Sequence, residues 1–161
     1  MTSATAAPKK KPTLQKNPSV NPFTVVAIGA FMGGLKAVSA LLKALPADTG
    51  MAYIYVQHLS PDHKSNLPSI LAKVTKMKVE EIDDMELMKP NHVFVIPHNK
   101  GIKVTDGHIK LIPRSKAAAA ISIDVLFSSL AATHKENVIG VVLSGNAHDG
   151  TVGLKAIKDA G

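Results

Sequence analysis

Three short apolar runs, 24–30 (TVVAIGA), 52–58 (AYIYVQH) and 138–144 (VIGVVLS), are each followed by a turn and then by residues whose apolar positions recur at helical spacing. Runs rich in Val and Ile suit strands covered on both faces. Strands that alternate with helices must be joined by crossovers. The expected fold is therefore α/β: a doubly wound, mostly parallel sheet. The first helix spans 33–45, with Leu35, Val38, Leu42 and Leu45 on one stripe, and Pro46 stops it. Further helices are expected over 66–74, 123–133 (with Ser122 as cap) and 151–160, and further strands over 77–80 and 92–97. Pro68 is tolerated because it falls in a first turn. Residues 102–111 alternate apolar and polar about Asp106-Gly107, the signature of a two-residue hairpin, which we expect as an antiparallel addition.

Composition removes several function classes. The chain has no cysteine, so disulfides, thiolate nucleophiles and Cys-ligated metals are excluded, and a cytoplasmic location is expected. No apolar run approaches the roughly 18 residues of a membrane-spanning helix, so membrane insertion is not expected. Lys9, Lys10 and Lys11 precede no apolar stretch, unlike a secretory signal. The net charge is +7, shared between those lysines, Lys16 and scattered positions such as Lys73, Lys76 and Lys78. With aromatics at 4%, there is no base-stacking platform, and a nucleic-acid partner is not expected. We read residues 1–21 as a disordered basic tail, 22–161 as the folded domain, and 114–120 as a linker or a frayed helix start.

In an open parallel sheet the site lies beyond the carboxyl ends of the strands, where strand order reverses. Three loops reach that place: Gly29-Ala30-Phe31-Met32-Gly33-Gly34, Gln57-His58-Leu59-Ser60, and Ser144-Gly145-Asn146-Ala147-His148-Asp149-Gly150. The first has the glycine spacing of a strained strand-to-helix elbow, in which any Cβ would crowd the neighbouring strand and helix. Such an elbow lifts its central residue toward solvent. In hydrolases that residue is Ser; here it is Phe31.

These three loops, in this order and with the hairpin between the second and third, resemble the catalytic domain of the chemotaxis protein-glutamate methylesterase (CheB) family. That family's loops read Gly-Ala-Ser-x-Gly-Gly, Gln-His after a hydrophobic strand, and Gly-x-Gly-x-Asp-Gly. The likeness runs from about Phe23 to Gly161 and includes the stretch QHLSPDHKSNL. It implies a doubly wound domain that hydrolyses glutamyl methyl esters on chemoreceptors, with a chemoreceptor or another signalling protein as partner and no metal or cofactor. It places Phe31 at the nucleophile, His58 at the base and Asp149 at the residue that orients the base, with Met32, Gly145 and Asn146 in the oxyanion loops. The third loop departs from the pattern at Asn146 and Ala147. The family domain continues past the helix that ends here, so a C-terminally shortened, incomplete version is expected. Family enzymes commonly carry a phosphorylatable receiver domain where this chain has its basic tail.

A serine hydroxyl attacks an ester only when a histidine takes its proton and a carboxylate holds that imidazole. Loss of the nucleophile costs about 10⁶ in turnover, roughly 8 kcal/mol. The expectation is thus an impaired esterase that keeps a binding or regulatory role. Two alternatives stand: an active esterase using Ser60 or Ser144, and a nucleotide-binding module using the first glycine loop. The spacing Gly29-x-x-x-Gly33-Gly34 and the lack of an acid ending the second strand count against the latter. Each residue also has a plainer role open to it. The glycines permit close packing, Phe31 is a buried strand-end residue, His58 is structural, Asp149 caps the last helix, and His63 and His148 are exposed loop residues.

Overall fold

A computed structural model describes residues 23–31, 33–58, 66–114, 122–144 and 148–161. In chain order its elements are β1 (Val25–Ala30), α1 (Gly34–Ala44), β2 (Ala52–Gln57), α2 (Leu67–Ala72), β3 (Lys78–Glu81), β4 (Glu86–Leu87), β5 (His92–Val95), β6 (Lys100–Thr105), β7 (His108–Pro113), α3 (Ser122–His134), β8 (Val138–Leu143) and α4 (Thr151–Ala160). A 3₁₀ turn, Lys135–Asn137, joins α3 to β8.

The main sheet has strand order β3-β5-β2-β1-β8, and every pairing in it is parallel. Strand β1 lies between β2 and β8, with Val25 level with both Ala52 and Val138. All six of its residues are buried, as an all-apolar run flanked on both sides should be. Successive side chains face opposite ways. Val26, Ile28 and Ala30 pack with Val38 and Leu42 of α1 and Leu67 and Leu71 of α2. Val25 and Ala27 pack with Ile123, Leu126, Phe127 and Leu130 of α3 and Ile157 of α4. Helices on both faces make the sheet doubly wound, as expected.

The antiparallel hairpin is present as expected, and it stands apart from the main sheet. Strands β6 and β7, with the two-residue β4 that the sequence reading missed, form a separate antiparallel sheet in the order β4-β7-β6. Its inner residues Ile102, Val104 and Ile109 join the core on the α3 side, and the Val104 amide donates to Ser129 Oγ at 2.9 Å. An alternating hairpin has one greasy face, and here α3 covers that face instead of a sheet edge.

The crowding expected at the elbow is present. A Cβ on Gly29 would lie 2.7 Å from the Ile123 side chain, and one on Gly34 would collide with Ala30 Cβ. Gly33 is needed for another reason: its φ is +90°, a region that suits glycine. We expect Gly34→Ala to cost about 1–3 kcal/mol through overpacking. Urea melts of the wild type and the variant measure it, and an unchanged midpoint would refute the close approach.

Candidate active site

Phe31 and His58 follow the carboxyl ends of β1 and β2, and Asp149 stands beside them, bonded to His58. Elbow hydrogen bonds set the first two: the Gly34 amide donates to the Phe31 carbonyl at 2.9 Å, and the His58 amide donates to the Ala30 carbonyl at 3.0 Å. The second bond continues the β1–β2 ladder one residue past the strand and ties position 58 to position 31.

His58 Nε2 donates to Asp149 Oδ2 at 2.8 Å, and the carboxylate side chain is fully shielded from solvent. A carboxylate only accepts, so Nε2 carries the proton. In the neutral ring, Nδ1 is then the nitrogen left to take a proton.

Asp149 is held from its other side as well. Its Oδ2 accepts the Ile123 amide and its Oδ1 the Asp124 amide, both at 2.8 Å. These are orphan donors in the first turn of α3. Asp149 therefore does cap a helix, but α3 and not the helix it precedes. Burial pushes its carboxyl up. The hydrogen bond from His58, the two amides and the charge of His58 outweigh that, and the net result lies below its ordinary value.

The sequence reading missed the reciprocal partner. Asp124 Oδ1 accepts the amides of Gly150 at 3.0 Å and Gly153 at 2.6 Å, in the first turn of α4. Two aspartates thus exchange caps across the α3–α4 interface. The available signal was an acid in the first turn of a helix, which suits the helix dipole. Nothing local shows that it serves a different helix. We expect Asp124→Ala to lower stability by about 1–2 kcal/mol, while Asp124→Asn keeps an acceptor oxygen and loses less. Chemical denaturation checks both, and equal losses would show that the cap is not what matters.

Phe31 does not project into solvent as the elbow argument had it. It is 9% exposed and belongs to the core on the α3 side. Its ring stacks on the His58 imidazole, with centroids 5.0 Å apart and planes 6° from parallel. The phenyl and imidazole rings thus lie face to face.

Ser144 is exposed and has φ +55°, an uncommon conformation for a residue with a side chain. Its Oγ stands 3.5 Å from where a Gly34 Cβ would sit, close to the start of α1. His148 is exposed. Met32, Ser60, His63, Gly145, Asn146 and Ala147 lie outside the described residues. Among the described residues, no group of three or more His, Asp or Glu side chains is placed to hold a metal, and no helix is long and apolar enough to cross a membrane.

Beside His58 a cleft opens between the β5–β6 connection, the strands of the small sheet and α3. Gln57, Ile96, Ile102 and Val125 are among its walls, and Asn99, Lys100 and Arg114 also line it.

Comparison with known proteins agrees with this architecture. A family model described as CheB methylesterase matches residues 26–161. The protein-glutamate methylesterase/protein-glutamine glutaminase of Salmonella typhi is 32% identical over 160 residues, covering 92% of this chain and 44% of the relative. Its counterpart in Escherichia coli K12 is 29% identical, with the same coverage of 92% and 44%. The chain thus spans less than half the length of these relatives. The crystal structure of the Thermotoga maritima CheB methylesterase catalytic domain superposes with a TM-score of 0.77 at 27% identity, covering 86% of this chain and 76% of that one.

Proposed function

The chain belongs to the CheB methylesterase family, and from that premise we propose that it binds glutamyl side chains of a chemoreceptor or another signalling protein without hydrolysing their methyl esters at an enzyme's rate. The observation that carries this reading is the Phe31 ring stacked on His58. In a working site His58 would draw a proton from a hydroxyl at position 31 as that oxygen attacked the ester carbon, and Asp149 would steady the imidazolium. A phenyl ring has no lone pair to offer the carbonyl and no proton for the base to remove. The relatives are named for both ester and amide substrates of glutamyl type. That substrate class is carried to this site as part of the proposal.

The test is methanol release from a peptide bearing a glutamyl γ-methyl ester. The natural chain should run about 10⁶-fold below a complete Ser–His–Asp site. Turnover at ordinary enzymatic rates would end the reading.

One observation favours a second reading, in which Ser144 is the nucleophile: its backbone is in an uncommon conformation and its hydroxyl lies close to the start of α1. A serine-directed phosphonate followed by peptide mapping separates the two. An adduct on Ser144 supports the second reading, and an unlabelled chain supports the first.

A further inference from the structure

The geometry points to a docking groove at the end of the sheet opposite His58, fitted to an acidic amphipathic segment of a partner protein. It stands apart from the reading of His58 and does not rest on it. Helix α1 runs back from the carboxyl end of β1 to the amino end of β2, and α2 does the same between β2 and β3. Both helices therefore end at the amino end of the sheet, about 20 Å of strand away from His58. Between their ends lies an open groove of about 470 Å³. Its apolar lining includes Leu42, which is fully buried, and Leu45 and Val74, which are half-buried. Lys43, Lys73 and Lys76 share the lining and are exposed. Among the described residues, none of these three ammonium groups has a hydrogen-bond or ion-pair partner.

The two helix ends bring at most about one negative charge between them, which Lys43 in the last turn of α1 offsets. Residues 42–48 and 72–80 hold four lysines and two acids, Asp48 and Glu80, and Glu80 pairs with Lys78 at 3.4 Å. Only one acid of the chain, Asp62, lies outside the described residues, too few to reverse that balance. The same charges choose among occupants. Residues 1–22 of the chain hold four lysines and no acid, so the groove repels them. A second copy offers the acidic run Glu80 to Glu86, but each copy carries +7 and holds the other off at long range. That same +7 steers an acidic partner inward. A bilayer is flat and would meet the lysines without reaching Leu42. What fits is a segment with an aliphatic side chain for Leu45 and Val74, flanked by carboxylates for the three lysines.

The experiment follows the fluorescence anisotropy of a labelled synthetic peptide, leucines flanked by glutamates, as the full chain is added at low salt. The peptide should bind. The double variant Lys73→Gln with Lys76→Gln, at two exposed positions that leave the fold intact, should weaken it about fivefold, and salt should weaken it further. A peptide with serine in place of its leucines should bind at least about tenfold more weakly. In the complex, amide chemical shifts should move at Leu45, Val74 and Lys76 and stay in place at His58. No binding, or binding that the lysine substitutions leave unchanged, would overturn the proposal. So would equal binding of the serine peptide, which reduces the contact to bulk charge. Two further arms test the other occupants. Capture of the chain by vesicles of phosphatidylserine and phosphatidylcholine through the same lysines, without peptide binding, would assign the surface to a membrane. Concentration-dependent sedimentation that the double variant loses, again without peptide binding, would assign it to a second copy. Either result overturns the proposal. Methanol release plays no part in the readout, so failure here leaves the reading of Phe31 and His58 standing.

Discussion

Phe31→Ser is expected to raise hydrolysis of a glutamyl methyl ester by about 10³-fold over the natural chain. The ceiling is the full worth of a nucleophile, about 10⁶ or roughly 8 kcal/mol of barrier. Much of the remaining apparatus is in place: His58 is hydrogen-bonded to Asp149 at 2.8 Å, and its amide is tied to the Ala30 carbonyl at the elbow. With Nε2 committed to the carboxylate, Nδ1 is available to take the serine proton. The estimate stays below the ceiling because the third loop departs from the family pattern at Asn146 and Ala147, where oxyanion donors are expected. The substitution also removes a ring that is 9% exposed and stacked on the imidazole, which should cost about 3 kcal/mol of stability. Rates should therefore be compared at low temperature, on protein shown to be folded by circular dichroism. A folded Phe31→Ser no faster than the natural chain would mean that the missing hydroxyl is not what limits catalysis.

How much of this was legible in the sequence depends on the range of the interaction. The strands and their helices could be read because VVAIGA and AYIYVQ carry their burial in their own residue types. The hairpin turn could be read because Asp106 and Gly107 both take positive φ, at 47° and 76°. The roles of His58 and Asp149 came from the family likeness, and the 2.8 Å bond between residues 91 apart gives them a shared geometry. What stayed hidden was set by partners distant in the chain. Elbow logic sends position 31 outward, but a phenyl ring gains by leaving water, and the imidazole offers it a flat surface. Strand β4 has only Glu86 and Leu87, too short for any periodicity, and exists because β7 pairs with it. The exchange of caps between Asp124 and Asp149 needs the packing of α3 on α4, which no local pattern encodes.

That exchange makes Asp149→Ala as damaging to stability as Phe31→Ser, at about 3 kcal/mol. The methyl group leaves the amides of Ile123 and Asp124 without their acceptor, and Ile123 is fully buried. An unsatisfied buried donor costs about 1–3 kcal/mol, and the imidazole loses its anchor as well. Asp149→Asn should recover only part. Three N–H groups point at this carboxylate, whereas an amide has one oxygen and turns its NH₂ toward one of them. With its oxygen in the Oδ2 position the amide still accepts from His58 and Ile123 and turns its NH₂ toward the Asp124 amide alone, so the loss should fall below that of Asp149→Ala. The pH dependence has a definite sign. The folded carboxyl lies below its ordinary value, so between the two values the unfolded chain binds more protons and stability rises with pH. The contribution of Asp149 is full above the ordinary carboxylate range near pH 4 and is lost as pH falls through the lower folded value. The gap between wild type and Asp149→Ala should therefore be constant near neutrality and narrow below about pH 4. Urea melts across that range measure it, and a gap that widens in acid would show that the carboxylate is not held as an anion by these donors.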